Sequence, residues 1–208
     1  MAEIIGISGY AGCGKDLFFR LFKEEVSKRG ATAERVAIAD PLKLEVRDTL
    51  LQLKGIDPTN CSRTQKDEIR DFLVFHGCQK RNETHGRYWI NKASKTVKNL
   101  SDKFDFICVT DVRFNKFVRD EVSWVKSELG GKLLVIKQFL LSHDDPYKVK
   151  KTFQPAPNGI EEWNMKRVEK DCDFMLEWPF SEDSSHIEEN LRPAVREFVN
   201  SHYENRSK

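Results

Sequence analysis

The chain has 208 residues, with 35 basic against 33 acidic side chains and a formal net charge of +2. That balance excludes the basic excess of a dedicated nucleic-acid binder, but leaves open a phosphorylated small ligand, which needs only a local cationic pocket. With 39% hydrophobic and 33% charged residues the chain is too apolar for disorder, and at this length roughly 70% of its unfolded surface is expected to be buried in a single domain, 1–208.

No uncharged run approaches the ~18 residues of a membrane helix. The N-terminus carries Glu3 and runs straight into a strand-like segment, so a secretory leader is not expected and a cytoplasmic protein is. The five cysteines, Cys13, Cys61, Cys78, Cys108 and Cys172, are odd in number and scattered, as suits reduced thiols. The histidines do not cluster with them as zinc ligands would.

In chain order, Glu3 to Ser8 is short, β-branched and apolar, a buried strand that stops at glycines. From Lys15 to Lys28 the apolar positions Phe18, Phe22 and Val26 repeat every four residues, an amphipathic helix closed at Gly30. Arg35 to Ala39 reads as a second strand, and Asp40-Pro41 starts a helix that runs to Gly55. Thr64 caps a helix to about Phe75, broken by His76-Gly77, and a polar stretch over 78–87 precedes a helix from Tyr88 to Leu100. Phe104 to Thr110 is a buried strand ending at Asp111. Phe117, Val118, Val122 and Val125 set a helix closed by Gly130-Gly131, and Lys132 to Ile136 is the next strand.

Residues 142–159, with three prolines and Lys148, Lys150 and Lys151, read as a mobile loop or lid. A helix near Ile160 to Val168, a strand near Asp173 to Glu177 and a final helix with Ile187, Leu191, Val195 and Phe198 follow. Strands alternating with helices predict an α/β fold with three layers, a parallel sheet of about five strands covered by helices on both faces.

Gly9-Tyr10-Ala11-Gly12-Cys13-Gly14-Lys15-Asp16 matches GxxxxGK and lies between a predicted strand and a predicted helix, the context a phosphate-binding loop needs. Its glycines let successive backbone N–H groups face a triphosphate, the helix adds its N-terminal partial charge, and Lys15 reaches the β- and γ-phosphates. Asp16 stands where such loops usually place Ser or Thr. As a hard oxygen ligand it can hold Mg²⁺, orient the attacking group, or merely stabilise the first helical turn. Asp111, at the end of an apolar strand, is placed as a second acid near the phosphates, and Arg113 offers a planar fork suited to phosphate. A helix cap and a surface ion pair are the plainer alternatives for the two.

These residues, with Ala39-Asp40-Pro41-Leu42-Lys43, the segment from His76-Gly77 to Arg81 with Trp89, and Thr110-Asp111-Val112-Arg113-Phe114, resemble the bacteriophage-type deoxynucleoside monophosphate kinases of the P-loop nucleoside monophosphate kinase-like family. The resemblance implies a P-loop NTPase-type fold in the host cytoplasm, with ATP and Mg²⁺ as cofactors on Gly9 to Asp16, and Asp16 and Asp111 as metal ligands. Lys15, Asp16 and Arg113 would carry catalysis, while Asp40, Lys43, Arg81, Trp89, Asp111 and Arg113 would line the site of a small nucleoside monophosphate, with no nucleic-acid polymer or membrane as partner. Whether the protein forms a homodimer stays open. Asp40 also suits a helix cap, Trp89 also suits the core, and His76 reads as a helix-end histidine.

The chain departs from the family at Leu17, where a hydroxyl is common, so Ser8 is the nearest hydroxyl. It departs in the lid, where Glu161-Glu162 is the nearest acidic pair, and at Trp178, where an Asn is usual. Closure of the lysine-rich segment 142–159 would exclude water from the transfer. Animal-type phosphomevalonate kinases share the Gly-Lys-Asp loop, the Pro-Leu-Lys segment and the Asp-x-Arg strand end, so a phosphomevalonate-like acceptor is the alternative. A non-catalytic ATP-binding switch is a third reading.

Overall fold

A computed structural model describes residues 1–145, 148–180 and 184–204. The apolar run at the N-terminus forms β1 (Glu3–Ser8), which lies between β3 (Phe106–Thr110) and β4 (Lys132–Asp145), parallel to both. Beyond β3 lies β2 (Ala33–Ala37) and beyond β4 lies β6 (Phe174–Pro179), each parallel to its neighbour. The order β2-β3-β1-β4-β6 therefore sends five carboxyl ends to one edge of the sheet, where ligands of open α/β folds bind. The fold is an α/β sheet with helices on both faces, of the P-loop NTPase-like kind.

One face is covered by α1 (Lys15–Ser27) and α7 (Ser184–Glu204), whose Phe18, Phe22 and Phe198 pack with Phe106. The other carries α4 (Arg87–Leu100), α6 (Gly159–Lys170) and α5 (Glu121–Ser123), which continues into a π turn, Trp124–Glu128. A smaller cluster of Val46, Leu50, Ile56 and Ile69 joins α2 (Asp40–Lys54) to α3 (Arg63–Glu83). No described helix is long and apolar enough to cross a membrane, and all five cysteines are free.

Three expectations are corrected. His76-Gly77 does not break α3, which runs unbroken through Glu83. Glycine at 77 serves packing, because a Cβ there would stand 3.3 Å from Leu42 Cδ2 on α2. Phe117 and Val118 lie outside a helix, since Asp120 caps α5 by accepting the N–H of Glu121.

The third correction is at 142–159, which holds no long loop. β4 continues to Asp145 and β5 (Lys148–Phe153) returns antiparallel, making the sheet six-stranded and mixed. Residues 146–147 lie outside the described part. Because β6 follows one edge of β4 up to Phe139, β5 takes the other edge, the one β1 occupies up to Val135. The hairpin therefore rises over the end of β1. Lys150 is exposed, and Lys151 pairs with Glu177 at 3.1 Å, so neither lysine joins the site described below.

Candidate active site

β1 ends at Ser8, and the glycine loop follows. Gly9 has φ 141°, and a Cβ there would lie 2.5 Å from both the Ile136 carbonyl oxygen and Cys13 Sγ. Gly14 has φ 94°, and its Cβ would lie 2.7 Å from Trp178 Cζ2. Trp178 is buried, and its indole N–H donates to the Cys13 carbonyl at 3.0 Å, so this side chain braces the loop from below. The first-turn N–H groups of α1 have no intrahelical acceptor and point into the loop, an anion-binding concavity.

Lys15 is 8% exposed, and its ammonium group donates to the carbonyls of Gly9 and Tyr10, both at 2.8 Å. Its charge sits in the loop's mouth. On the far side of the loop, Gln154, just past β5, donates to the Ala11 carbonyl at 2.8 Å. Behind Gly9, Tyr10 and Cys13 lies a cavity of about 500 Å³ that reaches Gln138, Phe153 and Met165.

At the end of β3, Asp111 has φ 67°, a left-handed backbone that is costly for a non-glycine residue and concentrates at functional sites. Burial works against its carboxylate, but Arg113, Lys15, Lys43 and Arg35 outweigh it and hold the pKa below the ordinary aspartate value. Asp111 stays ionised among four cations. Arg113 reaches it at 3.4 Å and Glu161 of α6 at 3.1 Å, and Arg113 Nε and Glu161 Oε2 are buried with no hydrogen-bond partner among the described residues.

From the β2 side, Arg35 donates to Thr110 Oγ1 and to Asp40 Oδ2, both at 3.2 Å, and lies 4.0 Å from Asp16, whose side chain is 91% exposed. Lys43 donates to the other Asp40 oxygen at 3.3 Å. Asp40 is thus tied to two cations at the start of α2, and no side-chain cap bond is present there.

The structure therefore brings Lys15, Asp16, Asp40, Lys43, Asp111 and Arg113 to one edge of the sheet. Arg81 and Trp89 do not join them. Arg81 is 5% exposed and its guanidinium is taken by Asp120 and Glu121, so it has no fork left for an acceptor phosphate. Trp89 is 3% exposed, packed between α4 and the sheet, with its N–H on the Gly77 carbonyl at 3.0 Å, and cannot stack on a base. His76 bonds Glu45 Oε1 at 2.9 Å, away from the site.

Two members went unread in the sequence. Arg35 sits inside an otherwise apolar strand, and that charge five residues before Asp40 was the available signal. Glu161 belongs to the acidic pair noted in the lid region, but nothing local tied it to Arg113, 48 residues away.

The donors fit a nucleoside triphosphate with its divalent cation. Gly9 and Gly14 let the loop backbone pack against Ile136, Cys13 and Trp178 where side chains would collide, and no group of three or more His, Cys, Asp or Glu able to hold a metal occurs among the described residues. Asp16 and Asp111 would be the carboxylates to hold a Mg²⁺ ion here, which would supply charge neutralisation for the phosphates.

No protein-family model and no curated protein matches the chain. Among solved structures it is similar to a mutant of the Mycobacterium tuberculosis APS kinase CysC, at 14% identity and a TM-score of 0.35, over 81% of this chain and 95% of that one. The sheet order and the glycine loop, read from this chain itself, define a P-loop NTPase-like α/β protein.

Proposed function

We propose that the protein is an ATP-dependent phosphotransferase of the nucleoside monophosphate kinase type, which moves the γ-phosphoryl group of ATP to a (deoxy)nucleoside monophosphate. One observation carries this reading: Arg35, Lys43 and Arg113 join the loop lysine, Lys15, around the ionised Asp111. A protein that only holds ATP needs the loop and Lys15. Three further cations beside it, now held by Asp40, Asp111 and Glu161, suit a second phosphate that takes over part of those pairings.

In this reading Gly9 to Asp16 bind the donor phosphates through backbone N–H groups, and Lys15 stabilises charge on the group in transfer. Asp16 and Asp111 would hold Mg²⁺, which supplies charge neutralisation when bound. Arg113 would take the acceptor phosphate in exchange for its bond to Glu161, with Arg35 and Lys43 adding positive charge at the same edge, and in-line transfer needs both phosphates held there. Asp40 fixes Arg35 and Lys43 through its two oxygens.

The burial of Trp89 removes the aromatic side chain that favoured a base-bearing acceptor, and this favours a phosphomevalonate-like acceptor as the second reading. A coupled ATP assay against deoxy- and ribonucleoside monophosphates and phosphomevalonate separates the two. Turnover with a nucleotide supports the first, turnover with phosphomevalonate alone supports the second, and turnover with neither removes both.

A further inference from the structure

We propose that the buried triad Arg81, Asp120 and Glu121 is a positioning device that sets Arg113 for the acceptor phosphate, an inference that rests on the phosphotransferase reading above. The segment from Arg113 to Phe117 belongs to no helix or strand, so something else must hold its backbone. Two carboxylates do so. Glu121 Oε2 accepts the N–H groups of Arg113 at 2.7 Å and Phe114 at 3.1 Å, and Asp120 Oδ2 accepts those of Lys116 at 2.8 Å and Phe117 at 3.1 Å.

Arg81, arriving from α3, locks both acids in place. Its two terminal nitrogens meet the two Asp120 oxygens at 3.0 Å each, one of them also reaches Glu121 Oε1 at 3.1 Å, and its guanidinium lies 3.7 Å from the Phe114 ring centre. All three residues are buried, at 5%, 0% and 2% exposure. Two acids share one base in the interior, an arrangement that apolar residues of similar volume would commonly match in stability. What apolar residues cannot supply is two carboxylate oxygens that accept four loop N–H groups. The product of those bonds is the placement of Arg113, whose side chain then spans Asp111 and Glu161.

The test is a double-mutant cycle between Glu121→Met, which keeps the side chain's length and removes its acceptor oxygens, and Arg113→Ala, with the Michaelis constants for acceptor and for ATP measured separately. Glu121→Met is expected to raise the acceptor KM at least about fivefold and leave the ATP KM within about twofold, and to add nothing once Arg113 is already Ala. A residue that only supports the fold would shift both constants, and its effect would multiply with that of Arg113→Ala; either result overturns the proposal. Arg81→Lys, which keeps the charge and loses the fork, runs the same cycle if Glu121→Met does not fold. If the wild-type chain turns over no acceptor, the phosphotransferase reading fails on its own, and the cycle is read by calorimetry with inorganic phosphate. Binding weaker in Glu121→Met than in wild type only when Arg113 is present then supports the positioning role, and binding equal to wild type refutes it.

Discussion

Replacing Glu121 by Gln should change how the protein's stability depends on pH. Burial raises the Glu121 carboxyl, Arg81 offsets this in part, and Asp120 raises it again, to about 7 from an ordinary 4.5. The folded chain therefore keeps a proton that the unfolded chain releases. Below pH 4.5 both states are protonated and the group contributes nothing; as pH rises through 7 the folded state loses about 3 kcal/mol relative to the unfolded one. Gln cannot titrate. The unfolding free energy of the variant minus that of the wild type should thus rise by about 3 kcal/mol between pH 4.5 and pH 8, as read by urea titration at several pH values. Glu45 and Asp57, whose pKa values are lowered to about 2, titrate in both proteins and cancel. A difference that stays constant with pH, within about 0.5 kcal/mol, would refute the reasoning. Lower stability at neutral pH in exchange for a fixed Arg113 is the kind of trade that functional sites make.

Lys15→Ala should cut transfer by roughly a hundredfold or more while circular dichroism and Tm stay near wild type, since it removes the charge beside the moving phosphoryl group. Gly14→Ala forces a side chain onto a left-handed backbone and against Trp178, so it should cost about 2–3 kcal/mol in denaturant unfolding and weaken ATP binding in calorimetry. Trp89→Phe should cost about 2 kcal/mol by removing a buried donor from the Gly77 carbonyl, yet leave the acceptor KM unchanged; a raised KM would return Trp89 to the site.

Much of the donor half of the site was legible. β1, the glycine loop and the start of α1 are specified by a β-branched run, three glycines and a four-residue repeat within about 25 residues, and Asp111 is marked by the apolar strand it closes. What escaped was set by contacts distant in sequence. Arg81 is polar and follows a glycine, which reads as a loop cation, but its partners lie 39 and 40 residues on. Gly77 reads as a helix breaker until α2 is packed against it. The β4–β5 hairpin was hidden by the prolines and lysines of 142–159, residue types that read as loop while Lys148–Phe153 pairs as a strand. Arg35 and Glu161 enter the site only because β2, β3 and α6 converge at one edge.

The central claim is that the cations around Asp111 serve transfer between two phosphates rather than retention of one nucleotide. ATP labelled at its γ-phosphorus, incubated with a nucleoside monophosphate, tests this most directly through where the label goes. Label on the nucleoside diphosphate, lost in Lys15→Ala and reduced in Arg113→Ala, is the expected result. Label that remains in ATP, or passes only to inorganic phosphate whichever acceptor is present, would contradict it.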